Sequence, residues 1–166
     1  MKKSKTAVSK GLISVSVVIG SKSDLEVIQP CLDTLREFGV GFELRVLSAH
    51  RQPAELTKYV KEVSEKGNRI FIAAAGGAAA LPGVIAAHTS LPVIGVPVET
   101  RSLRGLDSLL SIVQMPSGVP VASMAIGKSG PKNAALFALE IIALGDKKAA
   151  DKLLVYKKNL VKPVKK

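Results

Sequence analysis

Tryptophan is absent from this chain, tyrosine occurs twice and phenylalanine four times. Such scarcity rules out an aromatic-rich binding surface and leaves the core to Val, Ile, Leu and Ala, which suits aliphatic layers packed on a sheet. The one cysteine, Cys31, cannot close an internal disulfide. It falls among Ile28, Leu32 and Leu35 at helical spacing, a core position with no activating base in view. Nor is any apolar run long enough to cross a bilayer. The basic start followed by residues 15–19 has the outline of a secretion signal, but the run is too short and leads straight into a Gly-Ser turn. A reducing, cytoplasmic setting is the expectation.

What is present is a chain of 166 residues, 47% of them hydrophobic, enough for one domain with a real core. The formal charge is +11, a value that would suggest nucleic acid if it were spread over the fold. It is instead concentrated at the ends: residues 1–10 carry +4 and residues 146–166 carry +6, leaving +1 on the body. The division expected is a basic tail over 1–10, one α/β domain over 11–145, and a basic helix or tail over 146–166. Neither a specific nucleic-acid partner nor a membrane is expected.

Strand-like and helical patterns alternate along the body, the signature of βαβ units around a parallel sheet. Strands are predicted over 14–20, 42–47, 69–75, 92–98 and 121–126. Helices are predicted from residue 25 to about 38, from Pro53 to near 67, over 81–88, over about 106–114, over 132–144, and over 147–158. The expected fold is a three-layer αβα sandwich on a five-stranded, doubly wound parallel sheet of flavodoxin type. The last helix carries Leu153, Leu154 and Val155, an apolar stripe that a neighbouring subunit would cover.

Ligands of such sheets bind beyond the carboxyl ends of the strands. Gly20-Ser21-Lys22-Ser23-Asp24 follows the first strand, Ser48-Ala49-His50-Arg51 the second, and Ala75-Gly76-Gly77-Ala78-Ala79 the third. The first loop has the small residues and hydroxyls of an anion cradle, although Ser23 or Asp24 could equally be plain helix caps. Its spacing is neither that of a Walker loop nor that of a dinucleotide turn. His50 beside Arg51 pairs a group that exchanges protons near neutral pH with one that grips phosphate. His88, late in a short helix, reads as structural. The Gly76-Gly77 pair serves either close packing or the entry of a planar ring. On residues alone the reading ends at a nucleotide-like ligand with proton transfer by His50.

The motifs Gly20-Ser-Lys-Ser-Asp24, Ser48-Ala-His-Arg51, Ala75-Gly-Gly-Ala-Ala79 with Leu81-Pro-Gly83, Leu91-Pro-Val-Ile-Gly-Val-Pro-Val98, and the run from Gly105 to Pro116 resemble those of the N5-carboxyaminoimidazole ribonucleotide mutases. The resemblance, over residues 15–144, implies an octameric enzyme of purine biosynthesis that needs no cofactor, ATP or metal. It implies His50 as general acid and base, and Ser21, Ser48 and Arg51 on the 5′-phosphate. Asp24, with Ser23 beside it, would take the ribose hydroxyls, and Gly76, Gly77, Ala78, Ala79 and Leu81 would line the place of the base and carboxylate. Most bacterial relatives carry a His where this chain has Ala80, so no proton role falls to that position, and Gln52 stands where Thr is common. Two alternatives stay open. A sister class carboxylates aminoimidazole ribonucleotide directly with carbon dioxide, usually with Ala-Gly-Arg-Ser in the third loop. A non-catalytic nucleotide-binding module would have the same fold.

Overall fold

Continuous burial along the central strands shows that both faces of the sheet are covered. The computed structural model describes residues 6–8 and 14–161. Its sheet has six strands: β1 (Thr6–Val8), β2 (Val15–Ile19), β3 (Phe42–Val46), β4 (Ile70–Gly76), β5 (Val93–Val98) and β6 (Ala122–Ser123). They lie in the order β1-β3-β2-β4-β5-β6. All neighbouring pairs from β3 to β6 are parallel. In β4, Ile70, Ile72 and Ala74 point to one face, where they meet Ile28, Cys31, Leu35, Ala134 and Ala138. Phe71, Ala73 and Ala75 point to the other, against Leu56, Val60, Leu81 and Ile112. The first face is covered by α1 (Leu25–Phe38) and α5 (Ser129–Ala143), the second by α2 (Pro53–Glu65), α3 (Leu81–Ala86) and α4 (Leu106–Val113). The five-stranded parallel, doubly wound sandwich is therefore as expected.

Helix boundaries follow local chemistry. Helix α1 ends where Gly39 takes a left-handed φ of 74°, with its N–H on Arg36 O and the N–H of Val40 on Leu35 O, the reciprocal closure that glycine permits. Pro53 opens α2 at a position whose N–H would go unpaired anyway. At Gly95 an added methyl would overlap Ile112 Cγ2, so the absent side chain lets α4 sit directly on β5. Cys31 is fully buried, and burial pushes its thiol up to about 12. It is a core residue.

Three differences from the expectation stand out. Thr6–Val8, inside the segment read as a basic tail, pairs antiparallel with β3 (Thr6 with Leu44, Val8 with Glu43) and occupies an edge whose backbone groups would otherwise lack partners. The fifth parallel strand shrinks from 121–126 to Ala122–Ser123, because it pairs on one side only, with Ile94 and Gly95. The last helix, α6 (Lys147–Leu160), lies on its own chain: Leu153 is buried with Phe38 and Leu139, Lys152 donates to Phe38 O at 2.6 Å, and Lys157 pairs with Glu140 at 2.7 Å. Leu154 and Val155 remain exposed. No helix among the described residues is long and apolar enough to cross a membrane.

Candidate active site

Strand order reverses between β2 and β4, and the loops leaving β2, β3 and β4 meet at that switch point. They enclose a cavity of about 350 Å³ lined by Gly20, Ser21, Asp24, Ser48, Ala49, His50, Arg51, Ala75, Gly76, Ala79, Ala80 and Leu81. Three stretches far apart in sequence thus bring one imidazole, one guanidinium, one carboxylate and two hydroxyls to a single hollow.

The first loop is a one-turn helix, Lys22–Asp24, closed by a capping box. Ser21 Oγ accepts from Ser23 N at 3.3 Å, while Asp24 Oδ2 accepts from Ser21 N at 3.0 Å. Ser23 Oγ donates to Ser21 Oγ at 2.9 Å and lies 3.2 Å from Asp24 Oδ1. Ser23 itself does not line the cavity. The cap belongs to Ser21, whereas Asp24 opens α1 without a side-chain cap bond. Burial raises the Asp24 carboxyl above its usual range, outweighing the Ser23 hydroxyl and the Ser21 amide that lower it. A ligand offering hydroxyl donors would relieve that desolvation.

In the second loop Ser48 is buried, and its Oγ accepts from both the backbone N and the Nε of Arg51 at 3.3 Å. Arg51 Nη2 reaches Gly20 O at 3.4 Å and so ties the second loop to the first. These contacts are at the long end of the hydrogen-bond range, so the guanidinium's donors are weakly engaged and ready for an anion. His50 sits exposed on the turn between β3 and α2 and makes no hydrogen bond to another described residue. The residue lines the cavity without a fixed partner. His88 is exposed near the end of α3 and takes no part in this lining.

The third loop differs from its expectation in detail. Gly76, Ala79 and Leu81 line the cavity, but Gly77 and Ala78 do not. The N–H of Gly77 is already given to Ser108 Oγ at 2.9 Å, so it is not a bare amide facing a ligand. Sequence reasoning left Gly20, Ala49, Ala75 and Ala80 out of the site, although all four line it. It also missed Ser108, whose only sequence signal is a hydroxyl one helical turn before Ile112 on the buried face of α4. No group of three or more His, Cys, Asp or Glu among the described residues is placed to hold a metal ion.

Fold and site together define a doubly wound α/β protein whose switch-point cavity is lined by an imidazole, a guanidinium, a carboxylate and two hydroxyls. The family model described as AIR carboxylase matches residues 14–162. A protein of Saccharolobus solfataricus named N5-carboxyaminoimidazole ribonucleotide mutase is 51% identical over 146 residues, 88% of this chain and 91% of its own. One of the same name from Bacillus subtilis is 51% identical, covering 84% of this chain and 86% of its own. The crystal structure of Treponema denticola PurE matches with a TM-score of 0.80 at 30% identity, over 87% of this chain and 89% of that one. The chain belongs to the AIR carboxylase family.

Proposed function

We propose that this chain is an N5-carboxyaminoimidazole ribonucleotide mutase of purine biosynthesis, working in the cytoplasm as a homo-oligomer, and that the switch-point cavity is its active site. The observation that carries the proposal is the convergence of His50, Arg51, Ser48, Ser21 and Asp24 on one hollow beside the small-residue wall of the third loop. Relatives about half identical over most of their length carry that activity in their names.

Arg51 with Ser48 and Ser21 holds the 5′-phosphate, and Asp24 takes the ribose hydroxyls, which places the aminoimidazole against Gly76, Ala79 and Leu81. The imidazolium of His50 protonates the carbamate nitrogen, the nitrogen–carboxyl bond breaks, and carbon dioxide is left beside the neutral aminoimidazole. The enamine-like ring carbon then attacks it. Neutral His50 removes the proton from that carbon, restores the aromatic ring and returns to its starting state, so one residue serves as acid and then base. Holding the two fragments together supplies much of the rate. Assembly, an octamer in the reading that the resemblance implies, is supported by apolar side chains left uncovered: Leu103, Leu106, Leu110 and Val113 in and before α4, and Leu154 and Val155 on α6.

The family description names a carboxylase, so the test offers the enzyme each substrate separately, without ATP or metal. Formation of 4-carboxyaminoimidazole ribonucleotide from the N5 isomer, well above that from aminoimidazole ribonucleotide with bicarbonate, is the expected result. The reverse preference identifies the direct carboxylase, and binding without turnover of either identifies a nucleotide-binding module.

A further inference from the structure

We infer that Ser108, outside the cavity, is a positioning residue that sets the shape of the third loop for the chemical step. Ser108 is fully buried on α4. Its hydroxyl donates to Val98 O at 2.7 Å and accepts from Gly77 N at 2.9 Å, so its proton and one of its two lone pairs are committed. Val98 and Gly76 are register partners at the ends of β5 and β4. One hydroxyl therefore ties these two strand ends together at the point where the third loop begins. Gly77 leaves that point with φ 67°, a left-handed turn that glycine adopts without steric cost. On the other side of the same residue, Ser111 Oγ lies 3.4 Å from Gly77 O.

The helix that carries these hydroxyls is itself fixed. Thr100 Oγ1 donates to the Asp107 carboxylate at 2.8 Å, and Gly95 lets Ile112 settle directly on β5. Because α4 is anchored, Ser108 transmits the position of β5 to Gly77 and thence to Gly76, Ala79 and Leu81. This inference rests on the mutase reading above, in which the first two loops hold the phosphate and ribose while the third faces the migrating carboxyl group. Loss of the hold should then slow chemistry more than it weakens binding.

The experiment compares wild type with Ser108→Ala and Ser108→Cys in the N5-isomer assay, alongside Gly77 amide exchange followed by NMR. In Ser108→Ala, Gly77 exchange should rise about tenfold or more, kcat should fall about tenfold or more, and KM should stay within about threefold. Ser108→Cys keeps a weak donor and acceptor of similar size and should recover part of kcat. Should Ser108→Ala fail to fold, Gly77→Ala probes the same peptide, since its added methyl meets nothing within 4 Å and acts only through the left-handed backbone. It should show the same split. Unchanged Gly77 exchange in Ser108→Ala, a loss confined to KM, or kcat within about twofold of wild type in the folded variant overturns the inference. A wild type inert on the N5 isomer overturns the mutase reading and the catalytic role inferred from it, whereas the exchange arm still decides whether Ser108 holds Gly77.

Discussion

The 20–24 loop is shaped mainly by contacts that span at most three residues, from Ser21 to Ser23 and Asp24, with Arg51 Nη2 reaching only Gly20 O at its start, whereas the 76–80 loop is held by Ser108, 31 residues further along the chain. The first loop can take its shape when its own segment folds. The third acquires its shape only after β5 and α4 are in place. One rim thus combines a loop shaped chiefly by its own residues with a wall whose geometry is borrowed from another part of the core.

Substitutions can set the two modes of holding against each other. The largest effect on stability is expected at Gly95, where Gly95→Val would drive a side chain into Ile112 and lift α4 from β5. Overpacking of this kind costs about 1–3 kcal/mol. Denaturant melts should show that loss, and Gly77 amide exchange should quicken while Ser23 exchange does not. Equal quickening in both loops would break the comparison.

Next comes Arg51→Ala, which cuts the link from the second loop to Gly20 and, on the proposed reading, removes the phosphate's charged donor. Loss of a charge-assisted contact is worth about 1.5–3 kcal/mol. The expected result is a rise in KM of roughly ten- to a hundredfold with the melting temperature unchanged. An unchanged KM would remove Arg51 as the phosphate anchor.

The smallest effect belongs to Asp24. Its carboxyl is raised by burial, so the fold favours the protonated form. That contribution to stability is complete below the unfolded carboxylate range and is lost as pH rises through the raised folded value. Asp24→Asn should flatten the dependence of melting temperature on pH from the ordinary carboxylate range upward. At neutral pH the gain should be under about 1 kcal/mol, since the residue is only partly buried and solvent screens it. Weaker nucleotide binding should accompany it. A melting profile that keeps its slope would mean that Asp24 is not the residue responsible.

How far these features are legible in sequence follows from the same contrast. The unbroken apolar run of β4 and the helical spacing of Ile28, Cys31, Leu32 and Leu35 read directly, and α1 accommodates Pro30 in its second turn. Ser21 and Asp24 stand at capping-box spacing, and Ser48, His50 and Arg51 crowd one turn, so both loops are visible as local clusters. Ser108 is not, because nothing near it in sequence reports that its hydroxyl meets Gly77 and Val98. The short β6 and the added β1 were hidden for a related reason: edge pairing depends on which strand lies alongside, and strand order is a property of the whole sheet.

The central claim is that His50 moves the proton at this rim, and it is tested most directly by comparing wild type with His50→Asn on the N5 isomer, without ATP or metal. The exposed His50 ring makes no hydrogen bond to another described residue, so the variant should fold and bind nucleotide as wild type does. Its turnover should nevertheless fall on the order of a thousandfold or more, because both proton transfers lose their carrier. Turnover by the variant within a few-fold of wild type would contradict the assignment of His50 as acid and base.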